Sequence, residues 1–182
     1  MSDYLQTLDG MFDAAWTRLE QGALARAQIV FATTSVDGYP EARTVVLRHV
    51  DRNARLIDTY TDIQSDKIAS LRKLPRAAIH LWDADLKLQL RLQADVRITT
   101  GAQTDAMWAG VPDHARQSYG VVPAPGTVID GPTNYTKPST QEQFAVLRCT
   151  IRTLDVVSLA DPHRRACFRS QSGEWSANWL AP

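Results

Sequence analysis

Gln28-Ile29-Val30-Phe31-Ala32-Thr33-Thr34, the turn Val36-Asp37-Gly38-Tyr39-Pro40, and the return from Glu41 to Val50 decide the fold. The first segment is rich in β-branched residues, and Asp-Gly between two such runs is a hairpin signal. Asp51-Arg52-Asn53-Ala54 makes the next turn, and Arg55 to Thr61 gives a third strand of the same meander.

Outward from this meander the period changes. On the N-terminal side, Leu5, Leu8, Phe12, Ala15, Trp16 and Leu19 recur at helical spacing and predict an amphipathic helix over 3–21, stopping near Gly22. On the C-terminal side a short helix is expected from Ser65 to Leu74, ended by Pro75. Residues 76–83 and 86–99 read as strands around Asp83-Ala84-Asp85, and Gln103 to Ala109 as a helix. Residues 110–140 hold five of the nine prolines and form an irregular excursion. Phe144 to Leu159, His163 to Ser170 and Glu174 to Leu180 alternate again as strands. About eight strands with few helices and short turns predict a mainly β fold, an antiparallel barrel with flanking helices. No repeat or composition break divides the chain, so residues 1–182 are expected to form a single domain.

The charge balance narrows the function. Twenty Lys and Arg match twenty Asp and Glu, for a formal net charge of zero. Such a chain has no electrostatic grip on nucleic acid or anionic lipid, so any anion site must be local. Neither a secretory leader nor a membrane span is visible, and the expected location is the cytoplasm. Cys149 and Cys167 are expected as packed thiols rather than a disulfide, and the scattered histidines predict no metal site.

The candidate chemistry lies in long polar side chains on otherwise simple strands. In Arg43-Thr44-Val45-Val46-Leu47-Arg48, alternation puts Arg43, Val45 and Leu47 on one face and Thr44, Val46 and Arg48 on the other. Arginines at strand ends also suit solvent, so this run alone leaves both readings open. Tyr60-Thr61-Asp62-Ile63-Gln64-Ser65-Asp66-Lys67 spans a strand-to-helix handover. Ser65 is a good N-cap there, and Lys67 sits in the first helical turn, where the helix dipole disfavours a cation. A bound phosphate would reverse that penalty. Lys87, Gln89, Arg91 and Gln93 share one face of a leucine-rich strand, and Pro162-His163-Arg164-Arg165 opens another, with His163 and Arg165 on one face.

Taken in order, Arg43 to Arg48, Tyr60-Thr61, Ser65-Asp66-Lys67, Gln89-Leu90-Arg91, His163-Arg164-Arg165 and the ending from Trp175 to Pro182 resemble the FMN-binding split barrel of the pyridoxamine 5′-phosphate oxidase family. The resemblance runs from about Gln28 to Pro182 and is weakest across residues 100–142. It implies FMN as cofactor, its phosphate held by Arg43, Ser65 and Lys67 with Tyr60 and Thr61 alongside. The backbone from Val45 to Leu47 would lie along the flavin, within the cofactor-binding run Arg43, Thr44, Val45, Val46, Leu47 and Arg48. Gln89 and Arg165 would approach the ring, with His163 and Arg165 near the reacting face. The family builds two such sites at a homodimer interface. The substrate half departs from the pattern. The family's Arg-Pro pair is missing from Trp108-Ala109-Gly110-Val111-Pro112-Asp113-His114-Ala115-Arg116. In addition, Asp161 replaces an arginine, and Trp179 stands where arginine is frequent. The resulting expectation is a homodimeric FMN-dependent oxidoreductase acting on an unidentified small molecule. A non-catalytic flavin carrier or redox sensor, and a haem-binding split barrel, stay open beside it.

Overall fold

The computed structural model describes residues 3–182; Met1 and Ser2, where the expectation of a leaderless N-terminus falls, lie outside the described residues. Eight strands form one antiparallel sheet: β1 (Gln28–Thr34), β2 (Pro40–Asp51), β3 (Leu56–Asp62), β4 (Arg76–Asp83), β5 (Leu88–Thr99), β6 (Phe144–Ser158), β7 (Arg164–Gln171) and β8 (Glu174–Leu180). The strand order is β3-β2-β1-β4-β5-β6-β7-β8, and a further β3–β6 pairing closes the first six into a barrel. The expected mainly β barrel is therefore the observed one.

Closure depends on the length of β6. Its N-terminal half pairs with β3, from Leu56↔Thr150 to Asp62↔Phe144, and its C-terminal half pairs with β7, from Thr153↔Arg169 to Ser158↔Arg164. The change of partner falls where β5 also slips, between Gln93↔Thr153 and Ala94↔Ile151. One extra residue there bends the strand, which lets it leave one neighbour and join another.

Helix α1 (Leu8–Leu24) begins at Thr7, whose side chain accepts from the Gly10 N–H at 3.0 Å. It runs past Gly22, the expected stop. Gly22 is buried where α1 packs on β2, and a Cβ there would lie 3.4 Å from Leu47 Cδ2; the helix ends two residues later, at Leu24. The buried stripe of Met11, Ala15, Trp16 and Leu19 caps the barrel core, where Phe12, Trp16, Phe168 and Trp175 stack edge-on. Cys149 and Cys167 are both free and buried, and burial pushes the Cys149 thiol up, far from reactivity.

The excursion between β5 and β6 is ordered. Helices α3 (Asp105–Ala109) and α4 (Asp113–Arg116) lead into a loop tied by a Val122–Thr136 bridge. Val111, Tyr119, Phe144 and Val146 form a second small core there, with Tyr60, Met107 and Trp108 against it. The Gly120 N–H donates to buried Asp62 at 2.7 Å; with φ at 85° and any Cβ 2.2 Å from Thr140 Oγ1, only glycine fits.

Fully buried Trp16 and 87 % exposed Leu24 lie on the same helix, which gives a direct check of the α1 placement. Trp16→Ala is expected to cost about 3–5 kcal/mol in urea denaturation, and Leu24→Ala less than about 0.5 kcal/mol. Similar losses at both positions would contradict the packing.

Candidate functional site

β2 and β3 splay apart. Their pairing is confined to Leu47–Asp51, so Pro40 to Val46 is paired with β1 alone and its other edge stays open. β3 instead leads through Asp62 into α2 (Asp66–Lys73). Arg43 of β2 and Lys67 of α2 face each other across the opening, in a cleft of about 490 Å³ that Ser65, Glu41 and Gly126 also line.

Each polar group is held. Arg43 donates to Thr33 Oγ1 at 2.7 Å, to the Phe31 and Glu41 carbonyls at 3.3 and 3.2 Å, and to Glu41 Oε2 at 2.8 Å. It is thus a fixed guanidinium on the barrel-lining face of β2, not a strand end trailing in solvent. Lys67 Nζ donates to Thr61 Oγ1 and Ser65 Oγ, both at 2.9 Å, leaving a third N–H. Ser65 occupies the N-cap position as expected, but its hydroxyl does not cap. Instead it donates to the Asp62 carbonyl at 2.7 Å and accepts from Lys67. The first-turn N–H groups of Asp66 and Lys67 have no acceptor within the helix, as at any helix start.

Burial first, then the charge of Arg43, hold the Lys67 ammonium below its ordinary 10.5; Asp62 and Asp66 pull the other way. Asp62 is already occupied by the Gln64 and Gly120 N–H groups. Two like charges kept together in a half-buried opening, beside two hydroxyls and a helix start, suit a phosphate. The donor set therefore fits the phosphate end of FMN, and the open β2 edge fits a planar ring rich in heteroatoms.

The other expected residues fall in two different places. Tyr60 and Arg48 do not join the cradle: alternation turns Tyr60 to the opposite face of β3, where the Arg48 guanidinium lies over its ring at 5.3 Å. Arg165 lies on the outer barrel face, where it and Arg91 grip Asp155. Burial pushes Asp155 up, but the hydrogen bonds from Arg165 and Arg91 outweigh it and leave this carboxyl below the usual range. Gln89 sits on the same face, paired with Val157, whose other neighbour is Arg165. His163 is exposed just before β7 rather than on it, and Lys87 lies in the turn before β5 with φ at 49°, so neither shares the strand face expected for it. Asp155, in the apolar run Leu154-Asp155-Val156, escaped sequence reading although an acid on a core strand is itself a signal. Arg116 stacks on Trp108 at 5.1 Å and pairs with Asp113 at 3.0 Å. Among the described residues, no cluster has the makings of a metal site, and no helix is long and apolar enough to cross a membrane.

The depressed Lys67 pKa has a stability consequence. The unfolded chain binds this proton more tightly than the folded one, so stability of the cofactor-free protein rises with pH up to the unfolded value near 10.5 and is flat above it. Lys67→Met should flatten that rise and leave stability at pH 7 unchanged or higher. A loss beyond about 1 kcal/mol at pH 7 would mark Lys67 as a structural residue.

Comparison with known proteins identifies the family. Residues 9–100 match the family described as pyridoxamine 5′-phosphate oxidase, FMN-binding domain. A pyridoxine/pyridoxamine 5′-phosphate oxidase of Thermosynechococcus vestitus is 27% identical over 171 residues, 85% of this chain and 78% of that one. The corresponding oxidase of Xanthomonas axonopodis pv. citri is 32% identical over 116 residues, but the match spans only 62% of this chain and 57% of the relative. In fold, the chain is similar to a pyridoxamine 5′-phosphate oxidase-related, FMN-binding protein of Nostoc punctiforme. The TM-score is 0.75 at 22% identity, covering 94% of this chain and 96% of that one. The chain belongs to the pyridoxamine 5′-phosphate oxidase family of FMN-binding split barrels.

Proposed function

We propose that this chain is an FMN-dependent oxidoreductase acting on a small molecule, and that it works as a homodimer. The observation that carries the reading is the Arg43–Lys67 pair at an open strand edge, Arg43 fixed by Thr33, two backbone carbonyls and Glu41, and Lys67 fixed by the Thr61 and Ser65 hydroxyls. In this reading Arg43, Lys67, Ser65 and Thr61 bind the FMN phosphate. The β2 backbone from Thr44 to Leu47 orients the ring. When bound, FMN supplies a two-electron acceptor for hydride. Arg165 is held in place by a two-point contact with Asp155, so it can meet the flavin edge or an anionic substrate with little further loss of side-chain entropy. His163, exposed beside it, is the candidate acid or base.

The dimer rests on a separation. The Arg43–Lys67 cleft and the cleft lined by Arg91, Asp155 and Arg165 have no lining residue in common. A second copy related by a two-fold axis supplies the β5–β7 face to the cradle of the first. Exposed Val30 and Trp82, with Ala32 and Ala78 nearby on the same outer face, give that contact an apolar centre. Light scattering that returns a monomer mass with flavin fully bound would refute a shared site.

The substrate differs from that of the named oxidases. Pyridoxine and pyridoxamine phosphates need a second set of cations for their own phosphate. Here the Arg-Pro pair is absent, Arg116 is spent on Trp108 and Asp113, and Asp161 adds an exposed negative charge in the turn before β7. Purified protein should show the absorption bands of an oxidised flavin and not those of haem. Steady-state oxidation of both phosphates should give kcat/KM below roughly 10³ M⁻¹s⁻¹, against about 10⁴ at the low end for enzymes on their own substrates. A value at or above that lower end would overturn the substrate assignment. A spectrum without flavin after FMN addition would overturn the function itself.

A further inference from the structure

Directly opposed residues on neighbouring strands share a face, so the ladders lay out one row across the outer barrel face. It runs through Val30 of β1, His80 of β4, Arg91 of β5, Asp155 of β6 and Cys167 of β7. Arg165, two residues before Cys167, points the same way. Asp155 therefore stands between two arginines. Its Oδ2 accepts from Arg91 at 2.6 Å and from Arg165 at 2.9 Å, and its Oδ1 accepts from Arg165 at 3.1 Å.

The strands do not need this acid as a staple. β5 and β6 are already joined from Leu88↔Ser158 to Thr99↔Val146, and β6 and β7 from Thr153↔Arg169 to Ser158↔Arg164. The Asp155 side chain is only 14 % exposed, and at such a position an apolar residue often folds as well as an ion pair. What the acid does is cancel charge. Burial pushes its carboxyl up, the hydrogen bonds and charges of Arg165 and Arg91 outweigh that, and the group is ionised at neutral pH. Both guanidiniums stay charged at any relevant pH, so two cations and one anion leave a single positive charge on this face. It borders a cleft of about 470 Å³ that His80 and Arg169 also line.

We propose that Arg91 and Asp155 set the reduction potential of the bound flavin by fixing the net charge that the Arg165 face presents to it. The inference rests on the cofactor reading above, in which this face meets the flavin held in the cradle of the second copy. Two-electron reduction with uptake of one proton leaves the flavin ring one charge more negative, so nearby positive charge favours the reduced form and raises the potential. Arg91 raises it and Asp155 lowers it. Asp155 also aims Arg165 and is a positioning residue, whereas Arg91 acts through its charge.

Anaerobic reduction of the FMN-loaded protein against a reference dye of known potential tests this, with Asp155→Asn, Arg91→Gln and Arg91→Lys beside the wild type. Asp155→Asn keeps the side-chain size, removes the negative charge and should raise the potential. Arg91→Gln changes a half-exposed side chain and should lower it. Each shift should equal about a three- to tenfold change in the ratio of affinities for reduced and oxidised FMN, tenfold being about 30 mV for a two-electron couple. Arg91→Lys keeps the charge and should stay within about twofold of wild type. Should Asp155→Asn not fold, the Arg91 pair decides alone. A role confined to stapling strands or aiming Arg165 would move both neutralising variants the same way or leave the potential unchanged. Either result would overturn the proposal, as would a shift in Arg91→Lys as large as that in Arg91→Gln. A wild-type protein that binds no FMN would sink the cofactor reading and this proposal with it, whereas bound FMN with unmoved potentials sinks this proposal only.

Discussion

The pairing of β3 with β6 governs the rest of the molecule. It closes the barrel and fixes the alternation of β3, and so assigns Thr61 to the cradle and Asp58 and Tyr60 to the opposite face. A one-residue slip in that register would exchange the two sets and separate Thr61 from Lys67. Because β6 holds β3, β2 is free to part from β3 beyond Leu47. The open edge that suits a flavin is thus a product of closure elsewhere.

Electrostatics is divided too. A chain with no net charge still gathers cations at the cradle and on the outer face of β5–β7. In the cradle, burial and then the charge of Arg43 disfavour the Lys67 ammonium, against Asp62 and Asp66 and with Glu41 paired to Arg43, and a bound anion would relieve what is left. The Asp155 knot on β5–β7 is different in kind. Its two arginines share hydrogen bonds to one carboxylate, which stiffens both side chains. Groups that act on a bound ring gain from such prior fixation, since little entropy remains to be lost.

Much of this was legible in the sequence because strand alternation and turn chemistry are local. The meander from Gln28 to Thr61, the Ser65–Lys67 handover and the Pro75 stop all reappear within a residue or two. The stop expected near Gly22 comes at Leu24. Strand alternation already turned Arg48 away from Arg43, and the same alternation turns Tyr60 away from Thr61, so the resemblance grouped residues that the strands themselves separate. What was not legible was set by distant contacts. Arg91, Asp155 and Arg165 come from three separate strands, and no spacing rule links them. The second core beneath residues 110–140 was invisible because its partners, Phe144 and Val146, lie beyond the excursion.

The central claim is that the Arg43–Lys67 opening binds the phosphate of FMN. Parallel fluorescence titrations of the cofactor-free protein with FMN and with riboflavin test it most directly, because the two ligands share the ring and differ only in the phosphate. A desolvated charge contact worth about 2–5 kcal/mol predicts FMN binding at least roughly 30-fold tighter than riboflavin, and Arg43→Ala should erase most of that difference while leaving riboflavin affinity alone. Equal affinities for the two ligands in the wild-type protein would contradict the account.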